Sequence, residues 1–220
     1  PERKILTVED PVEYQLDGIN QIQVNPKIEL TFARALRSFL RQDPDVILVG
    51  EMRDRATANI AIQAALTGHL VLSTLHTNDA PSAITRLLDM GVEDYLITST
   101  VNAIMAQRLV RTLCPQCKRP AKPAASVLEE LRLPREGDVE FWQAVGCDAC
   151  LGTGYRGRTG IHELLVVNED VRRLVMDHAD AGVIVNEARG AGMVTMFEDG
   201  VEKAMAGLTS LEEVRRVTQM

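Results

Sequence analysis

The sequence lacks several features that define common protein classes. It has no run of 18 apolar residues, so we expect no membrane-spanning segment. Aromatic residues make up only 4% of the chain and the net charge is −7, which argues against nucleic acid as a partner. The chain starts at Pro1 with neither Met nor an apolar leader, so we expect a fragment of a longer protein.

The phosphate-binding loop of nucleotide motors is missing as well. Its pattern, Gly-x-x-x-x-Gly-Lys-Ser/Thr, occurs nowhere in the chain. The glycine-rich residues 152–157 (GTGYRG) follow a cysteine pair rather than a strand, so we interpret them as an ordinary loop. If the chain belongs to an ATPase, it is the part without the P-loop.

The remaining composition is that of a soluble globular chain. Its 220 residues are 45% hydrophobic and 25% charged, enough for one large or two small cores. Strand and helix patterns alternate in the first half, which predicts an α/β fold with a mostly parallel sheet. A region rich in Cys and Pro follows, and then four short helical patterns. We therefore predict three parts: residues 1–113, 114–160 and 161–220.

The most informative segment is the apolar strand Val46–Val49, which ends at Gly50 and is followed by Glu51. Four apolar residues in a row are typical of a strand buried in a parallel sheet, and we predict another such strand at residues 70–75. Open α/β sheets bind ligands at the carboxyl ends of their strands. In P-loop NTPases an acid placed there organises Mg²⁺ and the attacking water. The alternative is a buried strand followed by a solvated turn.

Two further groups are candidates for the same site. Glu9 ends an earlier strand and could share a cleft with Glu51, one acid positioning Mg²⁺ and the other polarising water. Alternatively, the acidic residues 9–13 form a solvated loop. His76 follows the apolar strand at 70–75 and could bond a carboxylate or sense a phosphate. The alternative is a purely structural histidine.

Four arginines are candidates for phosphate binding. Arg37 and Arg41 lie on one face of a helix predicted at residues 31–41, Arg53 follows Glu51, and Arg158 follows the second cysteine pair. A guanidinium fork pairs well with phosphate oxygens, so arginines gathered near catalytic acids suit a triphosphate. The alternative for each is a solvated surface charge.

The cysteines form two Cys-x-x-Cys pairs separated by a long insertion at residues 118–146. Two such pairs are the usual ligand set of a tetrahedral structural zinc site. The alternatives are two disulfides, or reduced thiols without a metal. The predicted zinc ligands are Cys114, Cys117, Cys147 and Cys150.

Together these motifs resemble those of the secretion ATPase superfamily, in particular the type II secretion and type IV pilus assembly motors. Residues 7–13 (TVEDPVE) resemble its Asp box, 45–51 (DVILVGE) its Walker B motif and 68–80 (GHLVLSTLHTNDA) its His box. Residues 34–45 and 157–164 match it too. The tetracysteine element argues against the retraction motors, which lack it, and residues 158–162 favour type II secretion over pilus extension.

The resemblance implies a RecA-like, homo-hexameric ATPase that uses ATP with Mg²⁺, with its N-terminal domain and P-loop preceding this chain. It implies that Glu9, with Asp10 beside it, is the general base and that Glu51 acts on Mg²⁺ and the γ-phosphate. His76, with His69, would link the nucleotide state to the sheet. The four arginines would bind phosphate or bridge subunits.

The resemblance also implies a location in the cytoplasm, peripheral at the inner membrane. A zinc-stapled domain would face the inner-membrane secretion platform proteins, and nucleic acid would not be a partner. The alternatives are a type IV pilus assembly ATPase, or a non-catalytic zinc-stapled module that docks on a protein. We expect the fragment alone to be inactive, since it has no P-loop.

Overall fold

The computed structural model describes residues 3–123, 128–129 and 140–218, and the chain divides into two compact units. Unit 1 comprises Pro1–Ile104 and Val166–Ala188, and unit 2 comprises Met105–Leu165 and Arg189–Met220. These boundaries differ from those of the three parts inferred from the sequence. The division into three parts stays a prediction. A helix-like pattern at residues 125–131 lies almost entirely outside the described residues.

Unit 1 is built on a parallel sheet of four strands in the order β2-β1-β3-β4. Val49 of β3 pairs with Val8 of β1 and with Ser73 of β4, so the carboxyl ends of these strands meet at one edge of the sheet. The prediction of an α/β fold with a parallel sheet is confirmed. The strands are β1 (Ile5–Glu9), β2 (Asn20–Gln23), β3 (Val46–Val49) and β4 (Leu70–Ser73).

Helices α1 (Phe32–Phe39) and α2 (Arg55–Leu66) cover one face of this sheet. Each begins at a capping side chain: Thr31 accepts from the backbone N–H of Arg34, and Asp54 from that of Thr57. Alternate residues of β1 and β3 point to the helices, as the period of a strand requires. The buried core consists of Leu6, Val8, Ile47 and Val49 with Phe32, Leu36, Phe39, Ile60, Ala61 and Ala64.

The outer strand β4 corrects one prediction. Residues 70–75 were expected to form a buried strand, but Leu70 and Leu72 are 49% and 47% exposed. β4 is an edge strand, and its free side has no strand partner within the described ranges. An apolar run has the same sequence whether both its faces are covered or not, so the pattern could not reveal this exposure.

The described second half of unit 1 is helical. Its helices are α3 (Ala80–Asp89), α4 (Asp94–Thr100), α5 (Glu169–Met176) and α6 (Ala181–Gly190), the last of which ends in unit 2. Among the described residues, no helix is long and apolar enough to cross a bilayer.

Unit 2 contains strands that the sequence reasoning missed. β5 (Ala103–Leu113) pairs with β8 (Tyr155–Val166), and β6 (Arg119–Ala121) pairs antiparallel with β7 (Phe141–Gln143). Only the first residues of β5 and the last of β8 fall in unit 1. The C-terminal helices α7 (Met196–Met205) and α8 (Leu211–Thr218) match the predicted ones. They pack on β7 around Phe141, Val201, Ala204, Leu211 and Val214.

Candidate active site and metal centre

The turn that carries Glu51 is held from both neighbouring strands. Gly50 follows β3, and its N–H donates to the carbonyl of Val8 on β1 at 2.8 Å. From the other side, Thr74 donates through Oγ1 to the carbonyl of Gly50 at 2.6 Å, and its own carbonyl accepts from Met52 N–H at 3.0 Å. Glu51 therefore leaves the sheet in a defined direction at its carboxyl edge, where the sequence predicted it.

The carboxylate of Glu51 is mostly buried, with 13% of its side chain exposed. Arg53 donates through Nη2 to Oε1, and His76 Nε2 lies 3.1 Å from Oε2. The hydrogen bond from Arg53 lowers the pKa of Glu51; partial burial opposes this shift, and His76 assists it. Glu51 is therefore an ionised carboxylate with a cationic neighbour.

Glu9 lies at the same edge but its carboxylate has other partners. A Cβ at position 50 would come within 3.3 Å of the Glu9 Cα, so the two acids leave adjacent stretches of backbone. Oε1 of Glu9 accepts from Thr7 Oγ1 at 2.5 Å and from Gln21 Nε2 at 3.0 Å. The sequence reasoning missed Gln21, which carries no motif signal of its own.

The link from the strand end of β1 to Glu51 runs through Asp10. Arg53 places Nη1 3.9 Å from Asp10 Oδ2 while its other terminal nitrogen bonds Glu51. Asp10, Glu51, Arg53 and His76 therefore form one cluster, which we call the carboxyl-edge cluster. Glu9 is adjacent to it in the backbone and is not among its ion pairs in the described part of the chain.

The structure places Arg37 and Arg41 away from this cluster. α1 leads through a short connection into the amino end of β3, where the Lys4 ammonium bonds the carbonyl of Gln42. α1 begins beside Gly50, where a Cβ would lie 3.6 Å from the Phe32 ring, so Arg37 lies between the two edges of the sheet and Arg41 lies towards the amino ends of the strands. Neither arginine forms an ion pair with the carboxyl-edge cluster in the described residues, and their predicted role in binding phosphate or bridging subunits stays a prediction.

The other two predicted residues also lie elsewhere. His69 donates through Nδ1 to the carbonyl of Ala64 at 2.8 Å, so its ring closes the end of α2 at the amino end of β4. Arg158 is exposed on β8 in unit 2. Of the four candidate arginines, the described unit 1 brings Arg53 into contact with Glu51.

The four cysteines of unit 2 converge as the sequence predicted. Their sulfurs all lie within 4.8 Å of one another, with separations of 3.9 Å between Cys114 and Cys147 and 3.8 Å between Cys117 and Cys150. Zn–S bonds of about 2.3 Å in a tetrahedron put the sulfurs about 3.8 Å apart. A disulfide needs about 2 Å, and all four cysteines are free, so the geometry favours a metal over the disulfide alternative.

Backbone N–H groups are aimed at the sulfurs. Cys150 Sγ accepts from the N–H groups of Gly154 at 3.1 Å and Cys147 at 3.2 Å. Burial opposes ionisation of Cys150, but these bonds outweigh it and lower its pKa to about 6. Burial raises the pKa of the neighbouring Cys147 to about 11. A bound cation would deprotonate that thiol outright, so the donor set fits a soft divalent metal.

Gly154 has a specific role at this centre. Its φ is 76°, and a Cβ there would come within 2.6 Å of the Ala144 Cβ. Only glycine combines the left-handed backbone with this close approach, which brings the N–H of residue 154 onto Cys150 Sγ. Part of the segment 152–157 that we interpreted as a loop thus supports the metal centre, and β8 begins within it at Tyr155.

A buried ion-pair network lies on β5 just before Cys114. Glu213 of α8 has a fully buried side chain that accepts from the backbone N–H and Nη2 of Arg111, at 3.0 and 2.6 Å. Arg216 donates through Nε and Nη2, both at 2.8 Å. Burial opposes ionisation, but these bonds lower the pKa of Glu213 to about 2. The Arg111 guanidinium also lies 4.1 Å from the centre of the Tyr155 ring, which links β5 to β8.

Comparisons with known proteins agree with this architecture. The chain matches the family described as "Type II/IV secretion system protein" over residues 1–216. It is 52% identical to the type II secretion system ATPase E of Vibrio cholerae, covering 99% of this chain and 43% of that protein. It is 53% identical to the type IV pilus assembly ATPase PilB of Thermus thermophilus, covering 97% of this chain and 24% of that protein.

A solved structure shows the same fold. The crystal structure of the pilus retraction motor PilT with bound ADP matches with a TM-score of 0.69 at 29% identity, covering 98% of this chain and 52% of that one. The chain therefore spans less than half the length of the Vibrio relative and about half of the PilT chain.

Proposed function

The chain belongs to the type II/IV secretion system protein family, and we propose that it is the C-terminal motor part of an ATPase that drives type II protein secretion. The carboxyl-edge cluster carries this proposal, because it presents an ionised Glu51 at the edge of a parallel sheet where such folds bind ligands. The 52% identity to a type II secretion ATPase over nearly the whole chain supports the choice of substrate, ATP, and of the secretion system.

In this proposal Glu51 and Glu9 have different roles in ATP hydrolysis. Glu51 would hold Mg²⁺ near the γ-phosphate, and a bound Mg²⁺ would supply positive charge to offset that of the phosphate oxygens. Glu9 accepts a hydrogen bond from the attacking water and acts as general base, with Asp10 beside it. His76 keeps the Glu51 carboxylate in place, and Arg53 bridges Glu51 and Asp10 and binds phosphate oxygens.

The remaining arginines would act between subunits of a homo-hexamer. Arg37 and Arg41 are exposed, and neither forms an ion pair with the carboxyl-edge cluster in the described residues. In this proposal an arginine so placed would serve the nucleotide of a neighbouring subunit. Arg158, exposed in unit 2, is proposed for the same role. An arginine supplied in trans is worth roughly 10³–10⁵ in rate in related NTPases.

The preceding part of the longer protein is the proposed partner for β4. Parallel sheets are normally covered on both faces, yet Leu70 and Leu72 are about half exposed on this edge strand. The relatives extend well beyond the matched region, so they contain additional chain that could cover β4. We propose that this chain folds against its own N-terminal and P-loop domain, which holds the β- and γ-phosphates.

We further propose that Cys114, Cys117, Cys147 and Cys150 hold a structural zinc ion. The spacing of their sulfurs and the N–H groups aimed at Cys150 support this assignment. The zinc-bearing region would contact the inner-membrane secretion platform proteins, which makes the motor cytoplasmic and peripheral at the inner membrane. The net charge of −7 supports protein partners over nucleic acid.

The test of the catalytic proposal is Glu51→Gln in the full-length protein. The change removes the charge that holds Mg²⁺ and preserves the size of the side chain, so we expect ATP hydrolysis to fall by at least 100-fold and nucleotide binding to persist. Glu187→Gln, at an exposed position on α6, is the matched control and should hydrolyse ATP at the wild-type rate. A wild-type rate in the Glu51→Gln protein would contradict the proposal.

A type IV pilus assembly ATPase is the second candidate, because the chain is 53% identical to PilB and 52% identical to the Vibrio secretion ATPase. The full-length gene should restore export of secreted enzymes in a strain lacking its type II secretion ATPase, and not twitching motility in one lacking its pilus assembly ATPase. The reverse result would favour the pilus motor. A wild-type protein with no ATPase activity would favour the non-catalytic docking module.

A further inference from the structure

Gln21 of β2 holds the carboxylate of Glu9 from the neighbouring strand. Thr7 and Gln21 are register partners in the parallel pair, so Gln21 projects from the same face as Thr7 and Glu9. Gln21 Nε2 and Thr7 Oγ1 both donate to Oε1 of Glu9, at 3.0 and 2.5 Å. Oε2 of Glu9 has no hydrogen-bond partner among the described residues. One carboxylate oxygen is therefore fixed and the other is open to water.

The orientation of the Gln21 amide is dictated by the backbone of the following loop. Its Nε2 also donates to the carbonyl of Tyr14 at 3.0 Å, and its Oε1 accepts from the N–H of Leu16 at 2.7 Å. A carbonyl can only accept and a backbone N–H can only donate, so turning the amide over would break both bonds. The nitrogen of Gln21 therefore always faces Glu9, and it cannot present its oxygen to that carboxylate.

We propose that Gln21 is a positioning residue that orients the Glu9 carboxylate towards the attacking water. This inference rests on the proposed function, in which Glu9 is the general base. A glutamate side chain has three rotatable bonds, and two donors on one of its oxygens fix the plane in which the other receives the water. General base catalysis contributes about 10²–10⁴ in rate. We expect loss of orientation alone to cost a part of that, about tenfold.

The main experiment replaces Gln21 by Met in the full-length protein. Met keeps the length of the side chain and removes both donors and the acceptor. The turnover number kcat should fall about tenfold while the KM for ATP stays within twofold of wild type, because Gln21 acts on the base and not on the nucleotide. A purely structural role would change the melting temperature without this separation of kcat from KM.

Gln23→Met is the matched control. Gln23 lies two residues further along β2 on the same face, and its Oε1 accepts from the backbone N–H of Val12 at 3.3 Å. It makes no hydrogen bond to Glu9 in the described part of the chain, so kcat should remain at the wild-type value. Gln21→Asn is a second variant, which keeps an amide on the strand but is one methylene too short to reach Glu9 and the loop together.

A double variant tests whether Gln21 acts through Glu9. Glu9→Gln with Gln21→Met should hydrolyse ATP no more slowly than Glu9→Gln alone, because the base is already absent. An additional tenfold loss in the double variant would overturn the inference. So would a wild-type kcat in both Gln21 variants, an effect confined to KM, or failure of both to fold.

The proposed function fails in a different way. If the wild-type protein does not hydrolyse ATP, or if Glu9→Gln keeps the full rate, Glu9 is not the base and Gln21 has nothing to position. If Glu9→Gln is inactive and Gln21→Met has wild-type kinetics, the proposed function stands and the positioning role is wrong.

Discussion

The buried carboxylate Glu213 makes a strong prediction about the stability of unit 2. Its pKa is about 2 in the folded chain against an ordinary value of 4.5. Each pKa unit corresponds to about 1.4 kcal/mol, so the ionised form stabilises the fold by about 3 kcal/mol at neutral pH. We expect Glu213→Gln to lose about this amount of unfolding free energy at pH 7, because Arg111 and Arg216 then lose their anion.

The pH dependence of this loss follows from the direction of the pKa shift. A folded-state pKa below the unfolded value means that the stabilisation is fully present above about pH 4.5 and declines as pH falls towards 2. At pH 3 the difference between wild type and Glu213→Gln should therefore be about half of its value at pH 7. Protonation of the cysteines is common to both proteins and largely cancels in the difference.

The assay is urea unfolding of the purified chain followed by circular dichroism, at pH 7 and at pH 3. The matched control is Glu212→Gln, an adjacent and exposed position on the same helix, for which we expect a change within 0.5 kcal/mol, the usual range for a surface site. Equal losses for the two variants would refute the argument that the Glu213 network stabilises unit 2. So would a loss that stays constant between pH 7 and pH 3.

Two further predictions concern the metal centre and the isolated chain. The purified chain should contain one zinc per molecule, and Cys150→Ser should abolish stoichiometric zinc, since each ligand is a thiolate. Metal analysis of protein made under reducing conditions tests this, and full zinc occupancy in Cys150→Ser would contradict the assignment. The isolated chain should hydrolyse ATP at a negligible rate, because positioning of the phosphates supplies most of the catalysis and the chain has no P-loop sequence. Several turnovers per second by contaminant-free protein would show this prediction to be wrong.

Local patterns predicted much of unit 1. The strand Val46–Val49 was found from four apolar residues ended by a glycine, and the helix expected at residues 31–41 is α1, which begins after its cap Thr31. These features depend on neighbours within one turn or one strand, so they can be read from the chain. The exposure of Leu70 and Leu72 depends on what lies beside β4, and a run of apolar residues does not indicate which neighbours a strand has.

The cysteine pairs and the long strands of unit 2 show the same difference between features set by nearby residues and features set by distant ones. The two Cys-x-x-Cys turns were recognised from spacing, because two ligands on one tight turn fix their own geometry. β5 and β8 were missed although they are the longest strands of the described chain. The cysteine-rich region separates these two strands in the sequence. Many of their residues are polar, and β8 also contains glycines and charged residues, so neither strand stood out as an apolar run.

The candidate site was predictable in its acids and not in their orientation. Motif spacing placed Glu9 and Glu51 at adjacent strand ends, and the fold agrees. Which neighbour orients each acid depends on strand register: β2 brings Gln21 opposite Thr7, so an amide reaches Glu9, whereas the β3 turn brings Arg53 to Glu51. The two acids thereby acquire different environments, one held by neutral donors and the other by a cation. The cation keeps the Glu51 carboxylate ionised, whereas the neutral donors occupy one oxygen of Glu9 and leave the other free to accept a hydrogen bond from water, as the proposed role of Glu9 as general base requires.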